Sequence, residues 1–141
     1  MTKIYIDTEF NGFQGELISM ALVSENGHEF YEVLECKDPT PWVAEHVIPY
    51  LEQDPVSKDM FQSILMLFLH RFEQITIVAD WPDDIKYFCE YLITGHGVSM
   101  NHPPISFVLD RTLSSEDSKV PHNALYDARA IADNHLSQQI G

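Results

Sequence analysis

Apolar residues recur along much of the chain with the period of two that is typical of β-strands. The run at residues 16–24 is apolar on both sides of an extended chain, which predicts a strand covered on both faces. Asn26-Gly27, a typical two-residue hairpin turn, separates this run from the next. We expect strands at residues 3–9, 16–24, 28–34, 75–79 and 105–109, the first three in antiparallel succession.

A period of 3.6 residues in the remaining stretches predicts four helices. Each begins with a residue that caps helices or with a proline in its first turn: Thr40 with Pro41, Ser57, Pro82 and Asn123. We expect these helices to end near residue 49, near residue 71, at Gly95-His96-Gly97 and near residue 137. Residues 111–119 are rich in Ser, Glu and Asp and are expected to form a mobile loop.

The helix expected at residues 57–71 is apolar on more than one face, and two explanations stay open. Deep packing in the core is the commoner reason for such a pattern. A contact between two subunits is the other reason, because a helix that is apolar nearly all round needs cover on every side. The second explanation predicts a homodimer.

The order of the elements, three strands and then helices alternating with two further strands, predicts an α/β fold. We expect a central mixed sheet, three antiparallel strands plus two further strands, flanked by helices. The length of 141 residues, with 45% hydrophobic content, fits a single domain spanning residues 1–141.

Charge and cysteine content restrict the classes of function. The formal net charge of −14, with eight Lys and Arg residues, excludes a broad surface that coats nucleic acid. A small phosphodiester site remains compatible with this charge if divalent cations supply the positive charge. Cys36 and Cys89 lack Cys-x-x-Cys spacing, which favours a reduced, cytoplasmic setting. No apolar run is long enough to span a bilayer, so no membrane association is expected.

Acidic residues recur where such a fold would bring them together. Asp7 and Glu9 end the first strand on one face, because alternate residues of a strand share a face. They are either a cation site or an acidic pair in solvent. Asp84 opens a helix and Asp127 lies in the last one, and α/β folds place ligands at the ends of strands and the starts of helices. His122, just before the last helix, is positioned to deprotonate a water molecule.

Three segments resemble the motifs of the DEDDh exonucleases, a branch of the ribonuclease H-like superfamily. They are Asp7-Thr8-Glu9, the acid at Asp84, and residues 122–127, His-Asn-Ala-Leu-Tyr-Asp. The first and third motifs are specific when they occur together at opposite ends of a chain of this length. The resemblance covers nearly the whole chain. In its finer pattern, the sequence is similar to a small, stand-alone, exoribonuclease-like branch of this family.

The resemblance implies a ribonuclease H-like fold and hydrolysis of RNA from its 3′ end with two divalent cations, Mg²⁺ or Mn²⁺. In this assignment Asp7 bridges both ions, while Glu9 and Asp127 hold the ion that activates water. Asp84 supports the second ion, and His122 accepts the proton from the nucleophile. Hard oxygen ligands suit Mg²⁺ or Mn²⁺ and not zinc.

The acid of the second motif has competing candidates, because three aspartates crowd this stretch of the sequence. Asp84 is followed by Ile85 and then, at helical spacing, by aromatic residues, as the motif requires. Asp80 is the main rival to Asp84. Asp83 is expected to cap the helix.

The resemblance also implies which residues meet the substrate. Thr8, Phe10 and Asn11 would contact the terminal nucleotide of a single-stranded 3′ end, with RNA favoured. A core position explains Phe10 equally well, and packing of its helix explains Trp42 better than stacking on a base does. A DNA exonuclease of the same mechanism and a catalytically silent domain that binds nucleic acid or protein are the alternatives.

Overall fold

The computed structural model describes the backbone of residues 1–140 and the side chains of residues 1–138. A mixed sheet of five strands forms its centre, and helices flank the sheet. The strands are β1 (Thr2–Phe10), β2 (Leu17–Ser24), β3 (Glu29–Val33), β4 (Ile75–Ala79) and β7 (Ile105–Leu109), with β5 (Ile93–Gly95) and β6 (Val98–Ser99) forming a separate hairpin. The helices are α1 (Pro41–His46), α2 (Lys58–Leu69), α3 (Pro82–Leu92) and α4 (Ala124–Ile140), with a 3₁₀ helix at Ile48–Tyr50.

The strand order in the sheet is β3-β2-β1-β4-β7. β1 runs antiparallel to β2 and parallel to β4, and β4 runs parallel to β7. The predicted α/β fold with a mixed sheet flanked by helices is confirmed. The finer expectation of three antiparallel strands plus two further strands needs a correction. β1 forms an antiparallel pair with β2 and a parallel pair with β4, so all five strands belong to one continuous mixed sheet. The carboxyl ends of β1 and β4 therefore lie at the same edge.

The alternation of side chains along β1 divides the core between the two faces of the sheet. Ile4 and Ile6 are fully buried and pack with the apolar residues of α2 and α3. Tyr5, between them, points to the opposite face and packs with Ala128 and Ile131 of α4. By the same alternation, Asp7 and Glu9 point to the α4 face and Thr8 to the α3 face.

The capping residues expected from the sequence hold the starts of three helices. The side-chain oxygens of Thr40 and Ser57 accept hydrogen bonds from backbone amides in the first turns of α1 and α2, at 3.3 and 3.1 Å. Asn123 does the same for α4, through bonds of 3.0 and 3.3 Å to its Oδ1. α3 begins without a side-chain cap and has proline in its first turn.

Two helices end earlier than expected. α1 stops at His46, and the chain continues as a 3₁₀ helix. α3 stops at Leu92, where Ile93 adopts an extended conformation and begins the β5–β6 hairpin. Gly97 forms the turn of this hairpin with a φ of +67°, a conformation that glycine adopts readily. The glycines therefore mark a turn between two short strands and not the end of the helix.

α2 is buried on one face and exposed on the other. Phe61, Leu65 and Leu69 are fully buried in the core, which accounts for most of its apolar character. Met60 and Leu67 remain 51% and 68% exposed. Within residues 1–140, none of the helices has the length and apolar character that a membrane span requires.

Candidate active site

The carboxyl end of β1 carries the first two acids of the site. Asp7 pairs with Ala21 of β2, and the register shifts immediately after Glu9. Such a bulge bends the strand and redirects the side chains next to it. Beyond it, the chain turns at Asn11-Gly12, where Gly12 has a φ of +74°. The chain is thus extended through both carboxylates and turns away directly after them.

The first group of carboxylates, which we call the β1–α4 group, consists of Asp7, Glu9 and Asp127. Oxygen atoms of the three side chains lie within 4.8 Å of one another. Asp127 enters from the first turn of α4, whose amino end is held by the cap at Asn123. Asn123 also donates a 2.8 Å hydrogen bond to the carbonyl of Tyr50, which ties this end of α4 to the 3₁₀ helix. Local capping and this tertiary bond together place Asp127.

The second group, which we call the β4–α3 group, consists of Asp7, Asp80 and Asp84. Their oxygen atoms also lie within 4.8 Å of one another. Asp80 directly follows the last residue of β4, and Asp84 lies in the first turn of α3 with only 2% exposure. Thr8 donates a 2.6 Å hydrogen bond from Oγ1 to Oδ1 of Asp84. Four carboxylates therefore surround Asp7, and with it they form two overlapping groups.

Two buried oxygen atoms of this site lack hydrogen-bond partners among the described residues: Oδ2 of Asp7 and Oδ2 of Asp84. A buried polar atom without a partner is costly, and a buried carboxylate oxygen more so. The donor set consists of carboxylate oxygens alone, which are the ligands that Mg²⁺ and Mn²⁺ prefer. The residues present therefore fit divalent cations.

Burial raises the pKa of each acid in the site. For Asp7 the pKa lies well above the usual range, because the group is desolvated and because Asp84 and Glu9 add like charge. Burial is also the main cause that raises the pKa of Glu9 to about 9 and that of Asp84 to about 8. The pKa of Asp80 is raised for the same reason. At neutral pH the site resists full ionisation until positive charge is supplied.

His122 stands at the amino end of α4, exposed to solvent, with a φ of +68°. Its ring meets the ring of Trp42 edge-on at 5.1 Å between centroids, and Trp42 in turn stacks at 4.7 Å on His46. Burial raises the pKa of Asp127, and the charge of His122 acts in the opposite direction. The histidine thus lies beside the β1–α4 group.

Of the three residues expected to meet the substrate, Thr8 and Asn11 make contacts within the protein. Thr8 is buried and bonded to Asp84. The Asn11 amide donates to the carbonyl of Asp38 and accepts from the backbone amide of Thr40, both at 2.9 Å. Asn11 therefore fastens the turn after β1 to the start of α1.

Phe10 is half-buried and packs on the ring of Tyr87, with 5.1 Å between ring centroids. The Tyr87 hydroxyl donates to the carbonyl of Gly15, which holds the loop between β1 and β2 against α3. One edge of Phe10 also faces a cleft of about 410 Å³ next to Glu9. Phe10 is therefore part of the core on one side and part of the wall of the cleft on the other.

This cleft contains an aromatic residue that the sequence pattern did not single out. Phe13 is 90% exposed, and Trp42 across the cleft is 52% exposed. The expected packing within its helix accounts for only part of Trp42, which stacks on His46 of α1 but leaves about half of its surface exposed. The sequence signal for Phe13 is an aromatic residue within a polar turn. A large apolar side chain in a turn is seldom buried, so this position predicts an exposed aromatic ring.

All five residues expected to be catalytic lie around this edge of the sheet, and Asp80 lies there as well. Asp83 is not part of either carboxylate group; its Oδ2 accepts a 3.0 Å hydrogen bond from the indole of Trp81. From the sequence, Asp80 and Asp84 are alternative candidates for the acid of the second motif, whereas in the structure both have a carboxylate oxygen within 4.8 Å of an oxygen of Asp7. The end of β4 and the first turn of α3 meet at this point, so the two acids are not exclusive.

Neither the known protein-family models nor the curated protein sequences include a match to this chain.

Proposed function

We propose that this protein is a divalent-cation-dependent 3′-to-5′ exoribonuclease of the DEDDh type, with a ribonuclease H-like fold. Its substrate is the 3′ end of a short single-stranded or overhanging RNA. The observation that supports this proposal most is the convergence of four carboxylates on Asp7. Asp7 and one of the four, Asp84, each have a buried oxygen atom without a hydrogen-bond partner among residues 1–138. A histidine beside one of the groups supplies the proton acceptor that hydrolysis needs.

The carboxylates would hold two Mg²⁺ or Mn²⁺ ions. Asp7 belongs to both groups and would bridge them, Glu9 and Asp127 would hold one ion, and Asp84 would support the other. When bound, such a pair of ions activates the attacking water and stabilises the leaving oxygen of a phosphodiester.

The role of His122 follows from its place at the rim of the site. It is exposed, and its ring meets those of Trp42 and His46, which are themselves exposed or half-buried, so the ring can approach a water molecule at the β1–α4 group. A ring nitrogen of His122 accepts the proton as the water attacks phosphorus. The bond from phosphorus to the 3′ oxygen of the preceding nucleotide breaks, and a nucleoside 5′-monophosphate is released.

The cleft next to Glu9 would receive the terminal bases. Phe13 and Trp42 present exposed rings at its walls, and aromatic side chains bind unpaired bases by stacking. The cleft is small, and the net charge of −14 disfavours extended contact with phosphates. Both features support a short footprint on a single strand.

The decisive experiment is a trimming assay with an RNA duplex that carries a 3′ overhang. In Mn²⁺ the labelled strand should shorten stepwise from its 3′ end with release of nucleoside 5′-monophosphates, and EDTA should stop the reaction. A DNA overhang of the same sequence serves as the matched substrate and should be trimmed more slowly. No shortening of either strand in Mn²⁺ or Mg²⁺ would contradict the proposal, and faster trimming of DNA would reassign the substrate.

A homodimer and a cytoplasmic setting complete the proposal. Met60 and Leu67 leave apolar surface exposed on the outer face of α2, where a second subunit would bind. Cys36 and Cys89 are both free thiols, which suits a reducing compartment. Light scattering at micromolar concentration should give the mass of two chains, and a monomer would contradict the dimer.

A further inference from the structure

We propose that Asp80 is a metal ligand in its own right, so that three carboxylates, Asp7, Asp80 and Asp84, hold the second divalent cation. The proposal rests on the proposed function, because it concerns the same two-cation site. It goes further by adding a fifth acid to the four-acid set, and it implies that this chain binds the second cation before RNA arrives.

The sheet register places Asp80 beside Asp7. β1 and β4 run parallel, with Tyr5 aligned with Val78. The paired residues end there, and an extension of the same register by two residues leads to Asp7 and Asp80 as neighbours. One carboxylate oxygen from each of Asp7, Asp80 and Asp84 lies within 4.8 Å of the other two, a spread that a single cation can bridge.

An independent observation indicates that this group is built for a cation. Asp84 is 98% buried, and only one of its two oxygens is bonded, to Thr8 at 2.6 Å. Its Oδ2 has no hydrogen-bond partner in residues 1–138, and the same holds for Oδ2 of Asp7. Two buried acceptors without donors, in side chains that meet a third carboxylate, require either a proton or a cation between them.

Helix capping and a direct ion pair do not account for Asp80. The amino end of α3 has no side-chain cap, so Asp80 does not serve as one. The guanidinium of Arg111 lies 4.3 Å above the ring of Trp81. Burial raises the pKa of Asp80 and outweighs the lowering effect of this positive charge, and within the described residues the two side chains form no ion pair inside 4.0 Å. Asp83 bonds to the Trp81 indole instead of joining the group.

Three carboxylates bind a divalent cation more tightly than two, because affinity rises with the number of charged ligands. With only Asp7 and Asp84, a phosphate of the substrate would have to complete the coordination of the second ion. With Asp80 as well, the protein supplies enough charge to bind that ion alone. The wild-type protein is therefore expected to bind two Mn²⁺ ions per chain in the absence of RNA.

The experiment is a Mn²⁺ titration of the full chain without RNA, followed by electron paramagnetic resonance, for the wild type, Asp80→Asn, Asp80→Ser, Asp84→Asn and Asp83→Asn. Asp83→Asn is the matched control, because it removes a neighbouring carboxylate outside both groups. We expect two ions for the wild type and for Asp83→Asn. Both Asp80 variants should weaken one ion at least tenfold and leave the other unchanged. Circular dichroism of each variant verifies folding.

The outcomes separate this inference from the proposed function. Two ions bound with unchanged affinity in either folded Asp80 variant would overturn the role of Asp80 and leave the exonuclease proposal standing. A wild-type protein that binds one ion without RNA would overturn it equally, while RNA trimming would still support the enzyme. A wild-type protein that neither binds Mn²⁺ nor trims RNA would contradict both proposals.

Discussion

The two carboxylate groups share Asp7 but differ in their surroundings. The β1–α4 group lies next to the exposed His122 and opens, through Glu9, onto the aromatic cleft. In the β4–α3 group, Asp7 and Asp80 are half-buried, and the buried acid, Asp84, is bonded to Thr8. A proton acceptor and an aromatic cleft therefore adjoin the first group, whereas neither His122 nor a residue of the cleft belongs to the second. In the proposed function, this difference would place proton transfer and substrate contact on one side of Asp7 and electrostatic support on the other.

The largest expected effect comes from the residue that both groups share. Asp7→Asn removes a ligand from each cation position, and metal stabilisation of a phosphoryl transition state is worth several kcal/mol. At 1.36 kcal/mol for each factor of ten, kcat in the trimming assay should fall by at least about 10³-fold. The matched control is Asp54→Asn. Asp54 is exposed in a loop and follows the acid Glu52 by two positions, the same spacing as Asp7 and Glu9. Equal activity of the two variants would refute the assignment of the site.

His122→Ala should lower the rate of hydrolysis without changing the binding of cations by the two groups. General bases contribute about 10²- to 10⁴-fold, so kcat should fall by about 10²-fold or more. Mn²⁺ affinity should stay unchanged, because no carboxylate is altered. His96→Ala, in the exposed turn of the β5–β6 hairpin, is the control and should retain full activity. A loss of Mn²⁺ binding in His122→Ala would instead indicate a ligand or a folding role.

Phe13→Ala tests the substrate side of the β1–α4 group. Stacking of a base on an aromatic ring is worth about 1–3 kcal/mol, so KM for an RNA overhang should rise about tenfold with a smaller change in kcat. The thermal midpoint should not change, because Phe13 is 90% exposed. An unchanged KM would exclude Phe13 from substrate binding.

The smallest expected effect is a pH dependence of stability in the cation-free protein. Burial raises the pKa of Glu9 to about 9 and that of Asp84 to about 8 in the folded state, above the values of the unfolded chain. Groups shifted in this direction contribute stability that is complete below about pH 4 and is lost as pH rises through the folded pKa. With EDTA, Tm should therefore decrease between pH 5 and pH 9, by about 4 °C for each kcal/mol lost.

Added Mg²⁺ should reverse this decrease in Tm, and Asp84→Asn should reduce it. The variant removes one of the buried acids and keeps the size of the side chain. A wild-type Tm that is the same at pH 5 and pH 9 in EDTA would contradict the raised pKa values. An equal decrease in Asp84→Asn would show that the pH dependence arises from groups other than Asp84.

The sequence reveals those parts of the site that depend on neighbouring residues in the chain. The period of two along β1 places Asp7 and Glu9 on one face, and Asn123 caps α4 through bonds to residues two and three positions later. The α/β class follows from the order of the elements. Each of these features is local, so a single stretch of sequence carries the information.

Features that depend on distant contacts were missed or left open. The β5–β6 hairpin replaces the end of a helix, because helical and extended patterns are similar in a short segment. The contact of Asn11 with substrate stays a prediction, and the bonds of its amide to the segment that precedes α1 are tertiary contacts that no local pattern indicates. Trp42 was assigned to helix packing, and it lies half-exposed against His122.

The sequence by itself determined that carboxylates end β1 and open α3 and α4, since these are properties of local pattern and capping. Only the tertiary structure decided that Asp80 and Asp84 both reach Asp7. The parallel pairing of β1 with β4 aligns the ends of two strands that are about 70 residues apart, and no local pattern specifies that register. Burial of the resulting group, which raises the pKa of each acid, is likewise a consequence of packing from both faces of the sheet.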